Sequence, residues 1–234
     1  MTKVNYGDLV ARAVRILNSN GIMHKSGHVA ARDAEFPHVM WINSRPASRS
    51  SVTAKDIVRA DLRTGEQIGE GDELPSEFHI HRAIFNRRPD VGAIVHSHPD
   101  YVVALSVADQ PVVPVTVDGG FLGGPAPIFD DPGHINTPER GNLLAAKLGD
   151  RPAVVLRGHG IAVTGRNVEE ALTRIVLVER NAHTQYLALA LGKLHPLSEE
   201  EVAAINQMTS SDKALRKAFA YEEETARRAG AFND

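Results

Sequence analysis

The sequence predicts a single three-layer α/β/α domain around a mostly antiparallel sheet. Three observations lead there. Short β-branched runs and amphipathic stretches are interleaved along the 234 residues without the strict alternation of a parallel α/β fold. No internal repeat and no linker divides the chain. Its length suits one domain able to bury a full core without staples. One domain over 1–234 is therefore expected, with a helical tail from about residue 198.

Leu9, Ala13, Ile16 and Leu17 mark one face of a first helix, which Asn20-Gly21 should stop. The segments "HVAAR", "HVMWI" and "DIVRADL" follow as short apolar runs. "SEFHIHRAIFNRR" then reads as a helix, because Ile80, Ile84 and Phe85, with Phe78 and His81, follow i, i+3, i+4 spacing and Pro75-Ser76 offers a start. "VGAIVHSHP" has a β-branched run and a proline stop, which suits a short strand ending in a loop. "PVVPVTV" is a further apolar run, and "DGGFLGGPAPIFDDPGHINTPE" reads as loop with room for one short strand. A helix opens at about Thr137, with Pro138 after the cap. The strand "AVVLRGHG" and then "IAVTG" follow, and the long helix "NVEEALTRIVLVERNAHTQYLALALG" closes the core. Ser198 and Glu201 stand in capping-box spacing. A charged last helix runs through Leu215, Phe219 and Tyr221. Its thin apolar stripe suits either a neighbouring subunit or a solvated tail.

Composition removes several classes of function. There is no cysteine, so disulfides, thiolate metal sites and thiol catalysis are excluded, and a transition-metal site must use His and carboxylate ligands. Net charge is −3 with 24% charged residues of both signs and no basic block, so nucleic acid is not an expected partner. The N-terminus has no apolar core of a signal peptide, and no run approaches the ~18 apolar residues a membrane span needs. A soluble cytoplasmic protein without a membrane partner is expected.

Two His-x-His pairs compete for attention, His79/His81 and His96/His98. With 11 histidines in the chain the spacing by itself carries little weight. Backbone period separates them. On a strand, side chains alternate faces, so His96 and His98 share one face; on a helix, each residue advances about 100°, so His79 and His81 point about 200° apart. The first pair is therefore read as ordinary helix residues, and the second can chelate. His159, in "LRGHG", follows another apolar run, with Gly158 and Gly160 allowing a tight turn and space around the ring. Glu77 stands in the first turn of the helix before the His96/His98 strand, where an acidic residue is also favoured simply by the helix dipole.

In this order, "SEFHIHRAIFNRRPDVGAIVHSHPDYVVALS" followed by "RGHG" resembles the class II aldolase/adducin family, as do "GHVAARD" and "VTAKDIV"; the likeness runs from about Asp8 to Leu191. The resemblance implies a class II aldolase-like α/β/α domain, a homotetramer with the active site near a subunit interface, and one divalent metal per subunit. By position, His96, His98 and His159 would be ligands, and Glu77 a fourth ligand or an acid/base. Three neutral imidazoles and a carboxylate suit zinc, manganese, iron or cobalt, with manganese or zinc expected here and open positions left for substrate.

Which reaction follows depends on departures from the family pattern. Family aldolases and epimerases hold a ketose phosphate with a Gly-Asn pair, a Ser/Thr-Gly pair and a Ser-Ser pair. Those places read Gly27-His28, "NSRPAS" from Asn43 to Ser48, and Pro75-Ser76 here. The resemblance makes His28, Arg45, Arg49 and Ser76 the expected substrate contacts. Each guanidinium can fork onto a carboxylate, although an arginine in a solvated loop is the plainer reading of each. "VPVTVDGG" lacks the tyrosine that family aldolases use as acid. With "RGHG" in place of Asn-His-Gly, the chain is most similar to the family's decarboxylase branch. That implies a metal-dependent carboxy-lyase acting on a hydroxylated aromatic or pyridine (di)carboxylate, such as the 3-hydroxy-2-methylpyridine-4,5-dicarboxylate of vitamin B6 breakdown. Its alternatives are an aldolase or epimerase of fuculose or ribulose phosphate, and a non-catalytic adducin-like scaffold, which should lack the ligands.

Overall fold

The computed structural model describes residues 4–209 and 211–233. Helix α1 (Tyr6–Ser19) starts where the Asn5 side chain accepts from the Asp8 N–H, and it ends at Asn20 as its sequence predicts. Eight strands follow in one sheet: β1 (His28–Arg32), β2 (Val39–Asn43), β3 (Ile57–Asp61), β4 (Gln67–Ile68), β5 (Ala93–Ser97), β6 (Ile128–Phe129), β7 (Ala153–Leu156) and β8 (Gly160–Gly165). The order across the sheet is β4-β3-β2-β1-β5-β8-β7-β6. Among the described residues only β6 and β7 pair in parallel, so the sheet is mostly antiparallel as expected. The other helices are α2 (Phe78–Arg87), α3 (Asp100–Val107), α4 (Pro138–Leu148), α5 (Val168–Leu191), α6 (Glu199–Thr209) and α7 (Asp212–Arg228).

Alternation along the strands supplies two cores. Val29, Ala31, Ala93, Val95, Ile161 and Val163 face one way and pack with residues of α1, α3, α5 and α7. Ala30, Ile42, Ile94, Val154, Leu156 and Ala162 face the other way, under Ile80, Ile84 and Phe85 of α2 and Leu144 and Leu148 of α4. Fully burying each such large apolar side chain stabilises the fold by about 1.5–3 kcal/mol. The same alternation decides where the site lies. His28 shares the face of Ala30, and His96 that of Ile94, so both point toward α2 and α4.

Two expectations need correction, and one apolar run takes an unexpected form. The chain after β5 is not a loop: Pro99, at φ −66° and ψ 138°, leads straight into α3. Glu179 of α5 makes this start possible by accepting from the N–H groups of Tyr101 (2.8 Å) and Val102 (3.1 Å). "PVVPVTV" forms no strand, because Pro111 and Pro114 have no N–H to donate to a ladder. Side-chain amides of α5 hold it instead: Asn181 accepts from Val115 and donates to Val113, and Gln185 accepts from Val113 and donates to Pro111. Last, α7 packs on α1 and α5 of its own chain, burying Leu215, Phe219 and Ala226 and pairing Glu222 with Arg180 at 2.8 Å. Tyr221 is 62% exposed, since two residues beyond Phe219 a helix has turned about 200° away. The Ser198–Glu201 capping box forms as expected. Among the described residues no helix is long and apolar enough to cross a membrane.

Candidate metal centre

Glu77 is the N-cap residue of α2, yet its side chain makes no cap hydrogen bond. The buried carboxylate turns toward the sheet instead. Its Oε1 accepts the Ile135 N–H at 2.9 Å and lies 3.6 Å from His159 Nε2, while Oε2 lies 3.7 Å from His96 Nε2. Burial by itself would raise this carboxyl, but the imidazoles of His159 and His96 and the Ile135 N–H hold it well below the usual range. The contact expected of a dipole-stabilising residue is absent, and a different one takes its place.

His96 is fully buried in β5. Its Nδ1 donates to the Ile161 carbonyl of β8 at 3.1 Å, which fixes the tautomer and leaves Nε2 as an acceptor without a partner. A ring held this way by a backbone carbonyl is oriented as metal-ligating histidines commonly are. His98 follows β5 directly, with Nδ1 3.4 Å from Ser26 Oγ. Burial first, and then the neighbouring His96 and His159, push it down to about 3, so the ring is neutral. His159 sits in the turn between β7 and β8 and stacks on His98 at 5.1 Å between centroids. The two glycines act as the sequence suggests. Gly158 has φ +64°, and a Cβ on Gly160 would stand 2.3 Å from the Ser97 carbonyl and 2.9 Å from the His98 ring.

One ligand atom from each of Glu77, His96, His98 and His159 lies within 4.8 Å of the others. The chemistry of this set fits a divalent transition ion. It offers neutral nitrogen donors, one anionic oxygen, and in His96 Nε2 a buried lone pair with nothing else to bind.

The remaining expected residues divide. His28 is buried on β1 opposite His96 in register, with the rings stacked at 5.8 Å. Arg49 is buried nearby, and its positive charge joins burial, His81 and His96 in keeping His28 neutral. Its Nε donates to the Gly27 carbonyl at 3.0 Å and its Nη1 to the carbonyls of Ser44 and Ala47, so it ties the loop together. Arg45 is exposed and pairs with Glu73 at 3.3 Å, and Ser76 is exposed. Neither belongs to the four-residue group.

Two residues near the group escape the sequence reading. His81, set aside there as an ordinary helix residue, is fully buried 5.7 Å from the His28 ring, with neither nitrogen partnered, and burial pushes it down to about 3. The available signal was its position four residues after Glu77, on the same helical face. His134 lies 3.5 Å from Glu77 Oε1, and an irregular loop carries no periodicity that could have singled it out.

The family description "Class II Aldolase and Adducin N-terminal domain" matches residues 8–186. The 3,4-dihydroxyphthalate decarboxylase of Terrabacter sp. (strain DBF63) is 32% identical over 212 residues, which cover 84% of this chain and 87% of that protein. The 4-hydroxy-3-prenylphenylpyruvate oxygenase/4-hydroxy-3-prenylbenzoate synthase of Streptomyces roseochromogenus subsp. oscitans is 28% identical over 188 residues, 80% of this chain and 68% of that one. Among solved structures, L-fuculose 1-phosphate aldolase from Glaciozyma antarctica PI12 superposes with a TM-score of 0.81 at 26% identity, covering 94% of this chain and 87% of that chain.

Proposed function

We propose a function on one premise: this chain belongs to the class II aldolase and adducin family. The function is that of a lyase removing carbon dioxide from a hydroxylated aromatic or pyridine carboxylate, with one manganese or zinc ion held by Glu77, His96, His98 and His159. The observation that carries the choice of substrate is the neighbourhood of His96. Where family aldolases keep the Asn of a Gly-Asn pair for a phosphate, this chain has His28, a neutral imidazole stacked on His96 and backed by the neutral imidazole of His81. Such a wall suits a flat ring better than a phosphoryl group. The relatives named as decarboxylases support the same reading.

A divalent ion in this donor set supplies a Lewis acid that stabilises negative charge developing on a ring oxygen. The chain's own residues do the rest. Ile135 holds Glu77 and Ile161 holds His96, so both donors stay aimed while a ligand binds. Breaking the bond to the carboxylate passes its electron pair into the ring, and the ring carbon then takes up one proton. His28 packs along the ring, and the Arg49 loop closes behind it. As in the family, the working unit would be a homotetramer with the site near a subunit interface.

A second reading, an aldolase or epimerase of a ketose phosphate, keeps the same ligands and is favoured by the likeness to L-fuculose 1-phosphate aldolase. An adducin-like scaffold would give the converging donors no purpose. The deciding experiment loads the protein with manganese or zinc. It then follows carbon dioxide release from 3,4-dihydroxyphthalate and 3-hydroxy-2-methylpyridine-4,5-dicarboxylate beside cleavage of L-fuculose 1-phosphate. Release from a ring acid that falls at least a hundredfold in Glu77→Gln is expected. Efficient turnover of the ketose phosphate alone overturns the decarboxylase reading.

A further inference from the structure

The Gly/Pro-rich loop between β6 and α4 brings a fourth imidazole to the cluster. His134 Nδ1 lies 3.5 Å from Glu77 Oε1, and its ring stands 5.7 Å from that of His159 at 67°. It is not one of the four residues whose ligand atoms converge. Exposure distinguishes it: the His134 side chain is 76% exposed, against 7% for Glu77, 0% for His96 and 9% for His159. The exposed ring therefore marks the solvent side of a buried cluster.

The loop is tied down on both sides of this ring. Ile135 is fully buried, and its N–H donates to the same Glu77 oxygen at 2.9 Å. On the other side the Gly133 N–H donates to Asp131 Oδ1 at 2.9 Å. The ring thus stands at the solvent-facing edge of the four-residue group, and an imidazole can hydrogen-bond a hydroxyl in either tautomer.

Taking the ligand class from the decarboxylase reading, we propose that His134 contacts the substrate, hydrogen-bonding a ring hydroxyl and so selecting among hydroxylated ring acids. The test uses the full-length, metal-loaded protein with His134→Ala and His134→Gln. Its readouts are metal content, kcat and KM for 3,4-dihydroxyphthalate, and KM for the analogue lacking one ring hydroxyl. Expected are unchanged metal content, a KM about tenfold higher for the dihydroxy acid in His134→Ala, less than twofold change for the monohydroxy acid, and kcat within a few fold. His134→Gln, which keeps a hydrogen-bonding side chain, should recover part of the loss. Loss of metal, or equal effects on both acids, overturns the assignment. Calorimetric binding of 3,4-dihydroxyphthalate and of L-fuculose 1-phosphate separates this idea from its premise. If the wild type binds only the sugar phosphate, the decarboxylase reading fails, and His134→Ala still decides the contact: weaker sugar binding supports it and equal binding overturns it. Binding of neither ligand overturns both.

Discussion

His79-Ile80-His81 and His96-Ser97-His98 have the same spacing and opposite outcomes. In α2 the helical turn sends His79 against Phe78, ring centroids 4.2 Å apart, while His81 goes into the interior beside His28. In and just after β5 the two rings stay on one face, 4.9 Å apart, and meet His159 across the sheet. A motif written in letters becomes chemistry only when the backbone period is applied to it. His81, though outside the converging group, still carries two buried nitrogens without partners among the described residues, at the back of the cluster.

The largest expected contrast lies between the pairs themselves. His96→Ala, His98→Ala and His159→Ala should each purify with little or no bound metal and lose activity by a thousandfold or so, because each removes one of four donors. His79→Ala and His81→Ala should keep wild-type metal content. Elemental analysis of the purified variants decides it, and equal depletion in the helical pair would erase the distinction.

A smaller effect separates the buried His81 from solvent-exposed imidazoles through pH. His81 has a folded-state pKa pushed down to about 3 by burial, against an ordinary value of 6.5. Between those limits the unfolded chain binds a proton that the folded chain refuses, so stability is fully present above pH 6.5 and declines as pH falls toward 3. In metal-free protein the thermal midpoint should drop from pH 7 to pH 5, and His81→Leu should flatten that slope. An identical slope in the variant would mean that other groups carry the acid sensitivity.

The smallest contrast is between the two arginines. Arg49→Ala removes a buried guanidinium from carbonyls of Gly27, Ser44 and Ala47 and should destabilise by about 1–3 kcal/mol. Arg45→Ala breaks an exposed pair with Glu73 and should stay within about 0.5 kcal/mol. Denaturant unfolding of both variants measures the difference, and matched values would contradict the burial seen for Arg49.

What was legible in the chain was whatever a local period encodes. The face shared by His96 and His98, the helix under Ile80 and Ile84, and the glycines around His159 all follow from neighbours a few residues away. What was not legible depends on distant partners. Helix α3 starts at a proline that reads as a stop, because Glu179, far along the chain, accepts its first N–H groups. The side-chain amides of Asn181 and Gln185 replace a strand ladder along "PVVPVTV". Arg45 and Arg49 look alike in sequence, and only the packing of the Gly27 loop sends one inward and the other to solvent. His134 belongs to the same class, since a hydrogen bond from its neighbour Ile135 to Glu77 is what brings it to the cluster.

The position of β8 between β5 and β7 has a consequence for how the protein forms. His159 can meet His96 only after β8 has paired with β5, a pairing that joins Ser97 to Ile161 across a long stretch of intervening chain. Such non-local pairing forms slowly, because the entropy of closing the chain is lost before the contact rewards it. An ion that needs all four donors would bind only once this pairing is in place. Such an ion would then slow unfolding more than it hastens folding, which unfolding and refolding rates with and without metal would measure.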